Sequence, residues 1–137
     1  MAFGIQQIHV QDINPNIPVG IDLPLNGKAV FKPNYQTKDA IRSNLINFFL
    51  TNPGERYLNP GFGGGLREFI FEQIESNNID RLKDSLNSKL NNNFPSIQVF
   101  SLEISLNDND TDNNRIIVSI SYTIKHTNMQ DTINLQF

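Results

Sequence analysis

The chain has 137 residues and no cysteine, which fits one domain with a hydrophobic core and excludes disulfides, thiolate metal sites and cysteine nucleophiles. Its 14 acidic residues outnumber its 11 basic ones and give a formal net charge of −3, which argues against a nucleic-acid groove or an anionic membrane surface. The first residues carry no basic region or apolar core, and no stretch is long enough to span a membrane, so we expect a soluble, unprocessed protein.

Turn signals are frequent in the first 36 residues, at Asn14-Pro15, Ile17-Pro18, Leu23-Pro24 and Asn26-Gly27. They predict an extended arm over residues 1–36, with one or two short strands that the body of the domain holds in place. A first helix follows over Thr37 to Leu50, because four apolar residues repeat there at helical spacing: Ile41, Leu45, Phe48 and Phe49. Thr37 is the predicted N-cap.

The next segment has an unusually high density of turn residues. Its predicted shaping residues are the two Pro-Gly dipeptides and a following glycine, namely Pro53, Gly54, Pro60, Gly61 and Gly63. Glu55 and Arg56 lie between the two turns, followed by Tyr57 and Leu58. A merely flexible linker would carry Ser and Lys at these places, so we predict a loop of fixed shape.

Two more helices are expected after the loop. Leu66, Phe69, Ile70 and Ile74 form an apolar stripe that predicts a second helix ending near Ser76-Asn77. A third helix is predicted from about Asn78 to Asn93, on the spacing of Ile79, Leu82, Leu86 and Leu90. Pro95 ends it, because proline cannot continue a helix and restricts the residue before it.

Beyond Pro95 the apolar period changes from about 3.6 to 2, which is typical of strands. Phe100, Leu102, Ile104 and Leu106 alternate with polar residues and are expected on one apolar face. This segment and Ile116 to Ile124 predict an antiparallel hairpin, and Thr132 to Phe137 predicts a last strand. The fold class is therefore α+β: three helices packed on a mainly antiparallel sheet of about three to four strands, preceded by the extended arm. Residues 37–137 form the domain proper.

Several candidate chemical sites are weak. Asp108 to Asn113 resembles the start of a calcium loop, but Asn113 replaces the required glycine, and a solvated hairpin loop is the favoured interpretation. The glycines before the second helix lack a phosphate-loop motif. Two histidines, His9 and His126, do not make a zinc site. We expect no catalytic residue, no cofactor and no bound metal.

A glycosidase would need a pair of carboxylates across a sugar-sized gap, and four glutamates could supply it: Glu55, Glu68, Glu72 and Glu75. The chain has no Trp and only three Tyr for sugar stacking, which disfavours an enzyme. Glu55 next to Arg56 is better explained as an ion pair or a contact to a partner. The loop with Glu55, Arg56, Tyr57 and Phe62 therefore predicts an interaction surface, although Phe62 and Leu58 could equally pack into the core.

The loop and its flanks also carry a family resemblance. Leu50-Thr51, Pro53 to Arg56, the turn Pro60-Gly61-Phe62-Gly63 and the helix Leu66 to Glu72 resemble the signature of the contractile-tail baseplate family. This family contains the phage wedge proteins called "lysozyme-like" and the matching component of type VI secretion baseplates. The resemblance implies a non-enzymatic virion component of the baseplate wedge, present in multiple copies, which is made in the host cytoplasm and initiates the tail sheath.

The resemblance also implies two kinds of partner, the wedge core subunits and the tail sheath protein. The sheath would dock by sharing strands with the last strand, whose predicted contact residues are Thr132, Ile133, Asn134, Leu135, Gln136 and Phe137. Family members carry a Glu-Pro-Arg motif that grips the wedge, where this chain has Phe94-Pro95-Ser96. An apolar contact through Phe94 and Pro95 would have to replace that grip. A peptidoglycan hydrolase and a free-standing protein-binding adaptor are the alternatives.

Overall fold

The computed structural model of the chain describes residues 10–23, 31–70, 76–106 and 116–137. Their order is a 3-10 turn, two short strands, three helices and three longer strands: Val10–Ile13, β1 (Gly20–Ile21), β2 (Pro33–Asn34), α1 (Thr37–Leu50), α2 (Leu66–Ile70), α3 (Ser76–Asn93), β3 (Ile97–Leu106), β4 (Ile116–Ile124) and β5 (Met129–Gln136). The helices pack with antiparallel sheets of two and three strands, which confirms the predicted α+β class.

Helix α1 has the predicted bounds, but the predicted N-cap is wrong. Gln36 is the N-cap and makes no side-chain capping bond, whereas Thr37 is already helical. The missing acceptor comes from the arm: Asp12 Oδ1 accepts hydrogen bonds from the backbone N–H and the Oγ1 hydroxyl of Thr37, both at 2.7 Å. A carboxylate at this end of a helix satisfies an unpaired N–H and favours the helix dipole.

The core lies between α1, α3 and the three-stranded sheet. Leu45, Phe48 and Phe49 of α1 are buried, because their spacing puts them on one side of the helix. Leu86 and Leu90 of α3 are fully buried as well, and they belong to the same apolar cluster. The described part of the second helix covers Leu66–Ile70, and its predicted continuation through Ile74 lies outside the described residues. Helix α3 begins two residues earlier than predicted.

The three longer strands form a sheet in the order β3-β4-β5, with both pairings antiparallel. Strand β4 is central, and its side chains alternate strictly between buried and half-buried positions, as its sequence predicts. The last strand starts at Met129, three residues before the predicted start at Thr132. Ile133 on β5 is buried on the helix side of the sheet, which confirms the predicted apolar face.

One predicted face on β3 is wrong. The register shifts between Val99 and Ser101, so Phe100 is an extra residue in a β-bulge. The bulge breaks the simple alternation, and Phe100 is 60% exposed instead of facing the core. Leu102 and Ile104, which follow the bulge, return to the core side.

The arm contributes a two-stranded ribbon, in agreement with the one or two short strands predicted there. Gly20 pairs with Asn34, and both face α1. A Cβ on Gly20 would be 3.0 Å from the Ala40 Cβ, and the Asn34 side chain donates to Ser43 Oγ at 3.1 Å. The backbone N–H of Leu23 donates to the same hydroxyl at 3.2 Å. The described arm is thus held by hydrogen bonds to α1 and by close packing.

Candidate assembly interface

The loop between α1 and α2, residues 51–65, is closed by backbone hydrogen bonds. The N–H of Gly54 donates to the Pro60 carbonyl at 2.7 Å, and the N–H of Phe62 donates to the Asn59 carbonyl at 3.1 Å. The N–H of Gly64 donates to the Phe48 carbonyl at 3.0 Å, which fixes the end of the loop to the last turn of α1. These bonds give the loop a defined shape, as its turn residues predict.

Three glycines of the loop, Gly54, Gly63 and Gly65, have positive φ angles that other residues rarely adopt. Gly54 has a φ of 91° in open surroundings, and Gly63 has a φ of 127°. A Cβ on Gly63 would lie 2.5 Å from the Thr51 carbonyl oxygen, closer than any real Cβ contact. Gly61 differs, because a Cβ there would meet no atom within 4 Å. Gly63 is therefore the position where the two ends of the loop touch.

Glu55 is used inside the loop. Its two carboxylate oxygens accept hydrogen bonds from the backbone N–H and the side-chain Nδ2 of Asn52, each at 3.0 Å. Of the two roles predicted for Glu55 next to Arg56, the ion pair is not formed. The carboxylate instead closes the turn that starts at Asn52, so Glu55 has a structural partner within three residues.

Arg56 packs over an aromatic ring. Its guanidinium carbon is 3.8 Å from the centroid of Phe62, within the range of a cation–π contact. Phe62 is buried, and its ring meets Phe48 edge-on at a centroid distance of 5.3 Å. Phe62 thus belongs to the core, and any contribution to a partner surface passes through the guanidinium that it supports.

The structure brings the second predicted wedge segment next to this loop. The half-buried Phe94 ring lies 5.7 Å from Phe48 and 6.4 Å from Phe62, between ring centroids. Pro95, the next residue, is exposed. Although the two segments are separated by more than 30 positions in the sequence, one aromatic cluster joins them.

The loop tip, residues 55–58, presents two large side chains to solvent. Tyr57 is 97% exposed and Leu58 is 94% exposed. This exposure excludes packing of Leu58 into the core, whereas Phe62 does pack into the core. An exposed aromatic and an exposed aliphatic side chain next to a cation, all on a stiff loop, have the composition of an interface anchor.

The edge of the described three-stranded sheet is formed on one side by β5. Ile116 and Phe137 exchange both backbone hydrogen bonds, at 3.0 and 2.8 Å. From there the register continues without a shift to Ile124 opposite Met129. Because bonded pairs alternate along an antiparallel ladder, odd-numbered residues of β5 bond to β4 and even-numbered ones direct their N–H and C=O away from it. These outward residues are Gln130, Thr132, Asn134 and Gln136.

A polar cluster fixes the start of this edge strand. The Tyr122 hydroxyl donates to Asp131 Oδ2 at 3.1 Å, and Arg42 Nη1 of α1 lies 3.2 Å from both carboxylate oxygens. The backbone N–H of Thr132 donates to Asp131 Oδ1 at 2.9 Å. Burial, followed by the nearby Asp131 carboxylate, raises the pKa of Tyr122 well above its usual range.

No pattern in the sequence predicts this cluster, because Arg42 and Asp131 are 89 positions apart. The same holds for Asp12 at the start of α1 and for Lys89, whose Nζ donates to the Gly63 carbonyl at 3.3 Å. Only the contact between Asn52 and Glu55 could have been found, since a Glu can reach back to the backbone N–H three residues earlier, as in a capping box.

The carboxylates proposed for a hydrolase are not assembled into a described site. Glu68 is exposed and lines an open cleft of about 320 Å³ together with Arg81 and Lys89. Glu72, Glu75, His9 and the loop Asp108 to Asn113 lie outside the described residues. His126 is exposed in the turn before β5, where its φ is 74°.

Within the described ranges, no three side chains of the metal-binding types come together as a metal site. Among the helices that the structure describes, none is both long enough and apolar enough to cross a membrane.

Two solved structures share this fold. The chain resembles a Geobacter sulfurreducens protein provisionally described as a tail lysozyme, with a TM-score of 0.63 and 22% identity over 74% of this chain and 90% of the other. It also resembles a chain of the cryo-EM anti-feeding prophage baseplate, with a TM-score of 0.51 and 17% identity over 85% of this chain and 77% of the other. At these identities the likeness concerns the fold alone.

The family follows from the sequence itself. Residues 35–129 match the family model described as baseplate wedge protein gp25, and the chain belongs to this family. No curated protein sequence matches it in a direct comparison. The matched range contains the whole loop and Phe94-Pro95, and the predicted family is confirmed. The protein is therefore a structural component of a baseplate in a phage tail or tail-like particle.

Proposed function

We propose that this protein connects the baseplate wedge to the first ring of the tail sheath. One surface, made by the loop tip with Phe94 and Pro95, attaches to wedge core subunits. The other, the edge of β5 that no strand among the described residues covers, accepts a strand from a sheath subunit. Several copies around the baseplate would then form the ring on which the sheath starts to assemble, in the host cytoplasm.

The wedge contact is supported by exposure on a stiff base. Tyr57 and Leu58 are almost fully exposed, yet the turn below them is closed by Asn52 and Glu55. Little conformational entropy is lost when a rigid loop binds, so such a tip is suited to an interface. The unpaired charge at the tip is that of Arg56, which predicts an acidic group on the partner next to an apolar pocket.

The sheath contact is supported by the backbone geometry of β5, and this observation carries the proposal. The N–H and C=O groups of Asn134 and Gln136 point away from β4, and both side chains are exposed. A strand added there would form main-chain hydrogen bonds with little dependence on side chains. Ile133 and Leu135, the odd-numbered residues on either side of Asn134, pack against the core.

Proline substitution tests the sheath contact. Asn134→Pro removes an outward N–H but no hydrogen bond to β4, and proline is tolerated at such edge positions. We expect Asn134→Pro to fold and to abolish sheath assembly on baseplates seen by electron microscopy, whereas Asn134→Ala assembles normally. Leu135→Pro is the matched control, because it removes a bond to β4 and lowers the melting temperature. Full-length sheaths on Asn134→Pro baseplates would contradict the proposal.

Charge reversal tests the wedge contact. Arg56→Glu removes one exposed cation–π contact, worth about 0.5–1 kcal/mol, so the melting temperature should fall by only a few degrees. Co-purification with co-expressed wedge subunits should be lost. Arg67→Glu, an exposed change of the same charge on α2, should leave co-purification intact. Equal loss of binding in both variants would show that general charge, not the loop tip, is responsible.

A peptidoglycan hydrolase is the second candidate, because one similar structure is described as a tail lysozyme. In this chain Glu55 accepts hydrogen bonds from Asn52 and Glu68 is exposed, so neither carboxylate lies in an apolar pocket of the kind that a general acid occupies. We expect no release of reducing ends from peptidoglycan. Cleavage by the wild type that disappears in Glu68→Gln would favour the enzyme.

A further inference from the structure

The edge of β5 that no described strand covers is not uniform, because one of its outward amides already has an acceptor. Four residues direct their N–H groups away from β4: Gln130, Thr132, Asn134 and Gln136. Of these, Thr132 already donates its N–H to Asp131 Oδ1 at 2.9 Å. Its amide is therefore occupied by the carboxylate of the preceding residue, although its direction would suit an added strand.

We propose that Asp131 sets the limit of the docking edge, so that an added strand pairs at Asn134 and Gln136 and not at Gln130. This inference rests on the proposed strand sharing with the sheath. A ladder that continued past Thr132 would leave a carbonyl of the incoming strand without a donor. An unsatisfied backbone group in a covered interface costs about 1–3 kcal/mol, which is enough to end the pairing there.

Asp131 cannot turn away without losing other partners. Its Oδ2 accepts from the Tyr122 hydroxyl at 3.1 Å, and Arg42 Nη1 lies 3.2 Å from each of its oxygens. The Asp131 side chain is only 13% exposed in this ion pair. Freeing the Thr132 amide would thus leave a buried hydroxyl and a guanidinium without their acceptor.

The hydrogen bond from the Thr132 amide to Asp131 also has a consequence for the free protein. An edge strand with a complete row of open amides is a template for unspecific pairing with other chains. Closing one amide in the middle of β5 shortens the available edge to its last residues. A short edge can pair only with a short partner strand, and it fixes the register of that strand. A fixed register would place all sheath subunits of the first ring at the same height on the baseplate.

The experiment is a proline scan of the outward positions, read as sheath assembly on baseplates by electron microscopy. None of Gln130→Pro, Asn134→Pro and Gln136→Pro removes a bond to β4, so unchanged melting temperatures confirm that each variant folds. We expect sheaths on Gln130→Pro baseplates and loss of sheaths with the other two. Loss in all three variants would overturn the limit at Asp131 while keeping strand sharing. Assembly in all three would overturn strand sharing itself.

Amide hydrogen exchange of the free protein tests the hydrogen bond between the Thr132 amide and Asp131 independently of any partner. We expect the Thr132 amide to exchange more slowly than the amides of Asn134 and Gln136. Asp131→Ala should remove this protection, and Asp131→Asn should restore it through the remaining side-chain oxygen. Equal exchange at Thr132 in wild type and Asp131→Ala would show that the carboxylate does not hold the amide, and the proposal would fail.

Discussion

Substituting alanine at three glycines of the loop would measure how the loop is held in shape. The three positions differ in one physical variable at a time. Gly61 has open surroundings, Gly54 has open surroundings but a φ of 91°, and Gly63 combines a φ of 127° with a Cβ position 2.5 Å from the Thr51 carbonyl oxygen. The series therefore separates backbone conformation from steric overlap.

The expected costs follow from these geometries. Gly61→Ala should change the free energy of unfolding by no more than about 0.5 kcal/mol, as for other surface substitutions. Gly54→Ala places a side chain in a left-handed conformation, which costs roughly 1–2 kcal/mol. Gly63→Ala adds a clash with backbone atoms that cannot rotate away, so we expect about 3 kcal/mol or more.

Thermal unfolding followed by circular dichroism gives the assay. For a domain of this size about 1 kcal/mol corresponds to roughly 3–5 °C, so Gly63→Ala should melt about 10 °C or more below the wild type. Gly54→Ala should melt a few degrees lower, and Gly61→Ala should not differ. If Gly63→Ala melted together with Gly61→Ala, the close approach of the two loop ends would be refuted, and with it the rigid base of the loop tip.

Three further predictions concern the core and its polar contacts. The raised pKa of Tyr122 means that the folded state keeps the phenol protonated beyond its unfolded pKa of about 10, so this stabilisation is complete below about pH 10 and lost as pH rises further. Chemical denaturation at alkaline pH should therefore show a shallower loss of stability for Tyr122→Phe than for the wild type. Phe100→Thr should change the unfolding free energy by about 0.5 kcal/mol at most, whereas Phe48→Ala in the core should cost about 3–5 kcal/mol, and equal effects would contradict the bulge. Asp12→Ala should cost about 1 kcal/mol, because the first N–H of α1 loses its acceptor, and Asp12→Asn should recover part of it.

Elements with a strong apolar period could be predicted from the sequence. Helix α1 has the predicted bounds because its buried residues recur at helical spacing and Pro53 follows closely. Strand β4 alternates along its whole length because it is central and meets the core on one face only. In both cases the positions that face the core must be apolar, so the burial pattern is visible as an apolar period in the sequence.

Features that depend on contacts between distant residues could not be predicted. The bulge at Phe100 breaks an alternation that looks regular in the sequence, since only the partner strand shows that one residue is extra. Asp12 occupies the place expected of a local N-cap because the arm returns to α1. The ion pair of Arg42 with Asp131 depends on the packing of α1 against β5. None of these leaves a periodic trace.

The adjacent pair Glu55 and Arg56 shows how the structure changes the chemistry of a predicted site. As neighbours of opposite charge they suggest a neutral tip, in which each residue satisfies the other. In the folded loop the carboxylate accepts hydrogen bonds from Asn52, whereas the guanidinium lies over the Phe62 ring. The negative charge of Glu55 thus stabilises the turn, and the positive charge of Arg56 is available for binding. A partner that fits this loop should present a carboxylate to Arg56 and an apolar pocket to Leu58, which a neutral pair would not require.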